Sequence, residues 1–241
     1  MINRLVILIL NVFDFFHKKK ILNFFKINKN NFETILDVGG HEGETIELFL
    51  KNFEVKKIIS FEASPINFKK LKFNNEKFIE KFRSTKILLE NFGAGNKNEI
   101  IKINQFLESS SSTLKQIDES SSYFKKKFFF LRKKNDGKLY YKIDIKIILL
   151  RDYLINNKIE KIDLLKIDTE GYEYEVILGL RQEIKKVEYI YFEHHFDNMI
   201  LKNYNFRDIN QKLLDNNFKQ VFKIKMPFRK TFEYIYKNKD F

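Results

Sequence analysis

The chain has 241 residues, enough to bury a core as one domain, and no proline-glycine linker marks off a second. It contains no cysteine, which excludes a disulfide scaffold and thiolate metal sites and is compatible with a reducing cytoplasm. Its net charge of +13 comes with Lys, Asn, Ile and Phe enriched throughout, so a compositional bias explains it and no nucleic-acid partner is expected.

Residues 1–31 read as an N-terminal helical extension. The apolar run from Leu5 to Leu10 is too short to span a bilayer and is followed by Asn11, Asp14 and then Lys18-Lys19-Lys20. No small-residue cleavage site follows, so a signal peptide is not expected. An amphipathic helix remains, packed on the domain or making peripheral membrane contact with its lysines at the headgroups. His17 has no chemical partner in the sequence.

From Phe32 onward the chain reads as one α/β domain, residues 32–241. Thr34-Ile35-Leu36 predicts a buried strand, and Ile46, Phe49 and Leu50 predict one face of a following helix. Between them runs Asp37-Val38-Gly39-Gly40-His41-Glu42-Gly43, where glycine lets the backbone turn tightly and approach a ligand. This is not the dinucleotide Gly-x-Gly-x-x-Gly pattern. Its acid and sparser glycines suit a ligand with a cationic methionyl end; a plain strand-turn-helix corner competes. His41 reads as a turn residue. The next strand, Lys57 to Phe61, ends in Glu62 about 20 residues past the loop, where such folds hold ribose hydroxyls. Pro65 fits the first turn of the helix that follows.

The segment from Gln105 to Lys138 interrupts this alternation with a serine run and the basic aromatic run Phe124 to Lys134. It reads as an irregular insertion or lid, with Ser110 to Leu114 bordering an acceptor pocket. Beyond it, Ile143 to Ile147 predicts a strand and Leu149 to Asn156 a helix. Ile162 to Asp168 runs from a strand into an acidic loop, then Tyr174 to Leu180 and Phe206 to Asn216 predict helices. Phe218 to Ile224 and Thr231 to Tyr236 predict a strand pair joined through Pro227.

Three segments carry a resemblance. The chain has Ile35-Leu36-Asp37-Val38-Gly39-Gly40, then Phe61-Glu62-Ala63-Ser64-Pro65, then Lys166-Ile167-Asp168-Thr169-Glu170-Gly171-Tyr172-Glu173. Together they resemble the FkbM family of S-adenosylmethionine-dependent methyltransferases, whose Lys-x-Asp-x-Glu-Gly-x-Glu motif the third segment matches. Asn91 to Asn96, Ser110 to Leu114 and Tyr189 to His195 are similar to further family segments in the same order. Gly40 stands where the family usually has Ala, and Asn96 where it usually has an acid.

The resemblance implies a Rossmann-like class I methyltransferase sandwich: a mostly parallel seven-stranded sheet with an antiparallel edge strand. It implies S-adenosylmethionine as cofactor, held by Asp37, Gly39, Gly40, Gly43, Glu62, Ala63, Asn91 and Gly93. Methyl transfer to a hydroxyl needs an aligned acceptor and a base. Asp168, Glu170, Glu193 and His195 supply candidates, with Lys166 as the charge partner that keeps the carboxylates ionised. Only one of His194 and His195, which alternate along a strand, can face the site. Asp168 and Glu193 also meet the oxygen-rich description of a Mg²⁺ site, and a structural salt-bridge network is the competing reading. The implied acceptor is a hydroxyl of a sugar, glycan precursor or related small metabolite. With only Pro65 and Pro227 the chain lacks the Asn/Asp-Pro-Pro-aromatic motif of base-amino methylation. RNA ribose methylation, or a non-catalytic membrane-associated binding module, are the alternatives.

Overall fold

A computed structural model describes residues 16–107, 111–126, 139–227 and 229–241. The apolar run Leu5 to Leu10, Ser110 and most of the basic aromatic run lie outside the described residues. Helix α1 (residues 16–28) comes first. Then follow β1 (Asn31–Val38), α2 (Glu44–Asn52), β2 (Glu54–Phe61), α3 (Pro65–Lys81) and β3 (Lys86–Glu90). Three strands depart from the βα alternation: β4 (Gly93–Gly95), β5 (Glu99–Phe106) and the short β6 (Gln116–Ile117). After a short helix, α4 (residues 122–126), come β7 (Tyr140–Leu149) and α5 (Leu150–Asn156). The chain closes with β8 (Ile162–Ile167), α6 (Glu173–Leu180), β9 (Val187–His195), β10 (Ile200–Leu201), α7 (Phe206–Asp215), β11 (Phe218–Lys225) and β12 (Thr231–Asn238).

The main sheet has seven strands in the order β11-β12-β9-β8-β1-β2-β3. Strands β9, β8, β1, β2 and β3 pair in parallel, and β12 pairs antiparallel with both β9 and β11. The antiparallel element lies at the expected end of the sheet, where β12 stands between β9 and the outermost strand β11. The short turn accounts for the antiparallel β11–β12 pairing, since a tight hairpin returns beside its own strand. Strand β8 is buried at every position, as a central parallel strand requires.

Two apolar layers sandwich the sheet. On one face Leu36, Leu165, Ile190 and Phe192 of the central strands meet Leu154 of α5, Val176 of α6 and Leu213 of α7. On the other, Ile35, Ile58 and Tyr189 meet Phe49 of α2 and Phe25 of α1. Phe25 has no exposed surface and touches Phe32, Phe49 and Tyr189 edge-on. The described part of the N-terminal helix is thus packed against the domain. Among the described residues no helix is long and apolar enough to cross a membrane.

The expected strand at Ile143 to Ile147 is longer, and it leaves the main sheet to form a three-stranded sheet in the order β4-β7-β5. Its partner β5 falls partly inside the stretch read as irregular. The bridge between Asn104 and Thr113 and the β6–β10 pair give further order to that stretch. These are pairings between distant segments, which local periodicity does not reveal.

Candidate active site

Strand β1 pairs with β2 on one side and β8 on the other, so Asp37 sits opposite Ser60 and Lys166. Past Val38 the loop is stitched to both neighbours. Gly39 and Gly40 N–H groups donate to Phe61 O at 2.9 and 2.9 Å, and Asp168 N–H donates to Val38 O at 2.9 Å. Gly39 has φ +91°, and a Cβ there would lie 1.8 Å from Asp168 O. Glycine is obligatory at this point because two strand tips close on it. At Gly40 a Cβ would meet Ser60 Oγ at 2.1 Å, which accounts for glycine where the family usually has Ala. Gly43 has φ +101° and precedes α2.

Glu62 is held by this loop. Its Oε2 accepts from His41 N–H and its Oε1 from Ser64 N–H, both at 2.8 Å. Burial pushes the carboxyl up to about 7, against the lowering by those two donors. His41 has φ +46° and pairs with Glu44 at 2.9 Å, as suits a turn residue.

These strand tips open onto a cavity of about 560 Å³, whose lining includes Gly39, Gly40, Glu62, Ala63 and Gly93. Lys166, Asp168, Glu170 and Glu193 line it too, and its size is in the range of small-molecule sites. Ser111, Ser112 and Leu114 border the same space. Three expected cofactor residues do not line it. Asp37 is fully buried behind the loop, with Oδ2 accepting from Ser60 Oγ at 2.8 Å and Oδ1 unpartnered. Gly43 lies at the helix start. Asn91 is turned away, its Nδ2 donating to Glu62 O at 2.9 Å; it follows β3, but its amide supports the backbone there.

The charged end is a network. Lys166 Nζ lies 2.8 Å from Asp168 Oδ2. Burial opposes its charge, yet Asp168 and Asp37 outweigh that and raise its pKa. Burial likewise opposes ionisation of Asp168, and Lys166 prevails to lower its pKa. Glu193 is raised to about 7, chiefly by burial.

His195 departs from the expected base. It does not line the cavity, and its Nε2 lies 3.1 Å from Glu170 Oε2 and 3.0 Å from Glu193 Oε1, with Nδ1 3.4 Å from Asp197 Oδ2. Burial works against a proton on it, but Glu170, Asp197 and Glu193 raise its pKa well above the ordinary value. That shift favours the protonated ring, which makes it a poor proton acceptor and a partner for the carboxylates. His194 faces the opposite way, against Phe196 and Phe206, and burial lowers its pKa to about 3. Glu173 is also structural: it accepts from Gly171 N–H at 2.7 Å and from Tyr204 OH at 2.5 Å.

A Mg²⁺ site does not fit these residues. Among the described residues no group of three His, Asp or Glu side chains is disposed to hold a metal, and Asp168 and Glu193 each face a cationic side chain instead.

The structure adds a wall that the sequence does not reveal. His17 of α1 is buried and bonds Glu233 of β12, whose other oxygen accepts from Tyr191 OH at 2.8 Å. All three line the cavity, and Glu233 stands opposite Glu193 in register. His17 and Glu233 are 216 positions apart, so only the folded sheet brings them together.

A mostly parallel seven-stranded sheet with β12 reversed, and a cavity at the strand tips beside an acid ending the second strand, define a class I methyltransferase domain. The chain belongs to the FkbM methyltransferase family: residues 37–220 match the methyltransferase FkbM domain. Among solved structures it resembles methyltransferase FkbM from Methylobacillus flagellatus KT, with TM-score 0.54 and 15% identity over 85% of this chain. The chain spans 43% of the length of that protein. It also resembles magnesium protoporphyrin IX methyltransferase from Synechocystis PCC 6803 with bound SAM, with TM-score 0.52 and 8% identity, covering 94% of this chain and 80% of that one. No curated protein matches the chain.

Proposed function

We propose that this protein transfers the methyl group of S-adenosylmethionine to a hydroxyl of a sugar, glycan precursor or related small metabolite. One observation carries the reading: the glycine loop, the buried acid Glu62 and the Lys166–Asp168 pair all face one cavity. The residues fit the cofactor. Gly39 and Gly40 leave the loop bare of side chains, and Glu62 retains lone pairs for the two ribose hydroxyls beyond its two backbone donors. Ala63 and Gly93, which line the same cavity, would flank the adenosine, and Asp37 and Gly43 hold the loop's shape from behind. When bound, the cofactor supplies a methyl group already activated by its sulfonium. The protein then has to align the acceptor and take its proton. Asp168 has the best access for that, with 38% of its side chain exposed against 11% for Glu193. Glu170, Glu193 and His195 orient the wall around it.

Two measurements test this. Calorimetry should show binding of S-adenosylhomocysteine, and tritiated-methyl transfer should label members of a panel of sugars, nucleotide sugars and glycolipid precursors. Absence of binding would overturn the cofactor assignment; labelling of RNA alone would overturn the acceptor. The raised pKa of Glu62 adds a sign. Hydroxyls donate to the ionised carboxylate, so binding favours deprotonation, and affinity should fall by about tenfold per pH unit below pH 7. In the unliganded protein the same shift acts in reverse. The folded state keeps the proton up to about 7 while the unfolded state loses it near the ordinary value, so stability declines between those pH values. An affinity flat from about pH 5.5 to 8 would show that Glu62 is not the ribose acceptor.

A further inference from the structure

Besides the charged Lys166, Asp168 and Glu193, the cavity is lined by Ala63, Ala94, Ile103 and Leu114. Ala63, Ile103 and Leu114 belong to one apolar cluster, a surface that suits a flat ring. Neither Asn91 nor Asn96 lines the cavity. Asn67 does.

Asn67 stands in the first turn of α3, five residues after Glu62, and is only 3% exposed. Its backbone N–H is fixed by the Ser64 cap at 3.2 Å. Its Oδ1 accepts from Gln105 Nε2 at 3.5 Å, and Gln105, itself 2% exposed, also donates to Phe106 O at 3.1 Å. That contact sets which way the Asn67 amide points. Its Nδ2 has no partner among the described residues yet is not sealed from solvent, and the open space beside Asn67 is the cavity. A buried, oriented carboxamide with an unused donor thus borders the same cavity as Glu62, and both residues are tied to Ser64.

We infer that Asn67 reads the adenine of the cofactor, its Nδ2 donating to a ring nitrogen and its Oδ1 accepting from the exocyclic amino group. The pairing follows from chemistry: a carboxamide offers one donor and one acceptor side by side, matching the amino group and adjacent nitrogen of adenine. Hypoxanthine, with a carbonyl in place of the amino group, would set oxygen against Oδ1. The inference rests on the proposed use of S-adenosylmethionine, and it makes Asn67 the residue that selects adenine.

The test is calorimetry of the full chain with S-adenosylhomocysteine and with S-inosylhomocysteine. The wild-type protein should prefer the adenine compound by about tenfold or more. Asn67→Ala should weaken S-adenosylhomocysteine by about tenfold and bring the two affinities together. Asn67→Asp, which keeps the shape and loses the donor, should weaken it as well and guards against a folding defect in Asn67→Ala. Equal affinities in the wild type, or full preference in both variants, would overturn the inference while leaving the cofactor assignment standing. Failure of the wild type to bind either compound would overturn both.

Discussion

Replacing Lys166 with Met should destabilise the protein by about 3 kcal/mol at pH 7, the low end of what removing one partner from a buried ion pair costs. Lys166 is the cation for several acids: it bonds Asp168, and Asp37 and Glu233 contribute to its raised pKa. Asp37 is the partner with most to lose, since it has no exposed surface and one oxygen already lacks a donor. Asp168 opens onto the cavity, so water screens part of its charge and the upper end of the range does not apply. The sign with pH is fixed. Lys166 lowers the pKa of Asp168, and that stabilisation is present above the ordinary carboxylate value and lost as pH falls. Without Lys166 both acids can take up protons, so the deficit of the variant should shrink between about pH 7 and pH 4.5. Urea unfolding at the two pH values measures it. A variant as stable as wild type at pH 7 would mean that water already neutralises this cluster.

Much of this arrangement is legible in the sequence. The loop from Asp37 to Gly43, the acid at 62 and the segment from Lys166 to Glu173 are local patterns at strand ends, and in a parallel sheet strand ends converge on one edge. What stays hidden depends on pairing or rotation. Asn91 follows a strand as expected, yet its amide bonds backbone instead of facing the cavity. His195 has the right parity on β9, but only the fold surrounds it with Glu170, Glu193 and Asp197 and makes it a cation. His17 looks solitary in sequence because its partner Glu233 belongs to the far end of the chain. Strand β5 escapes a local reading because its alternation runs into the serine-rich stretch, and its order comes from β7 and from the bridge to Thr113. Both His17 and Glu233 lie outside residues 37–220, the part of the chain that matches the family domain.

Asp168→Asn should lower turnover by roughly 10²- to 10⁴-fold, the span attributed to a positioned proton acceptor, while S-adenosylhomocysteine affinity stays near wild type. Two carboxylates compete for this role, and they differ in what they do with pH. Glu193 is raised to about 7, a good match to neutral catalysis, but it is nearly enclosed and faces the His195 imidazolium. Lys166 lowers the pKa of Asp168, which makes it the weaker base but the more exposed of the two. Geometry has precedence over basicity, since a proton cannot move to a group beyond hydrogen-bond reach. With Asp168 as base and S-adenosylmethionine saturating at every pH, so that the Glu62 effect on cofactor affinity drops out, kcat/KM for the acceptor should be level from about pH 6 to pH 8. With Glu193 as base, the rate should climb through about pH 7 as its proton leaves, and Glu193→Gln should erase that climb. A chelator separates the last possibility: activity unchanged in excess chelator, together with loss in Asp168→Asn, places the carboxylate in proton transfer and not in metal ligation. Activity that survives Asp168→Asn at every pH would make the Lys166–Asp168 pair a structural clasp at the end of β8, with the base elsewhere on the wall.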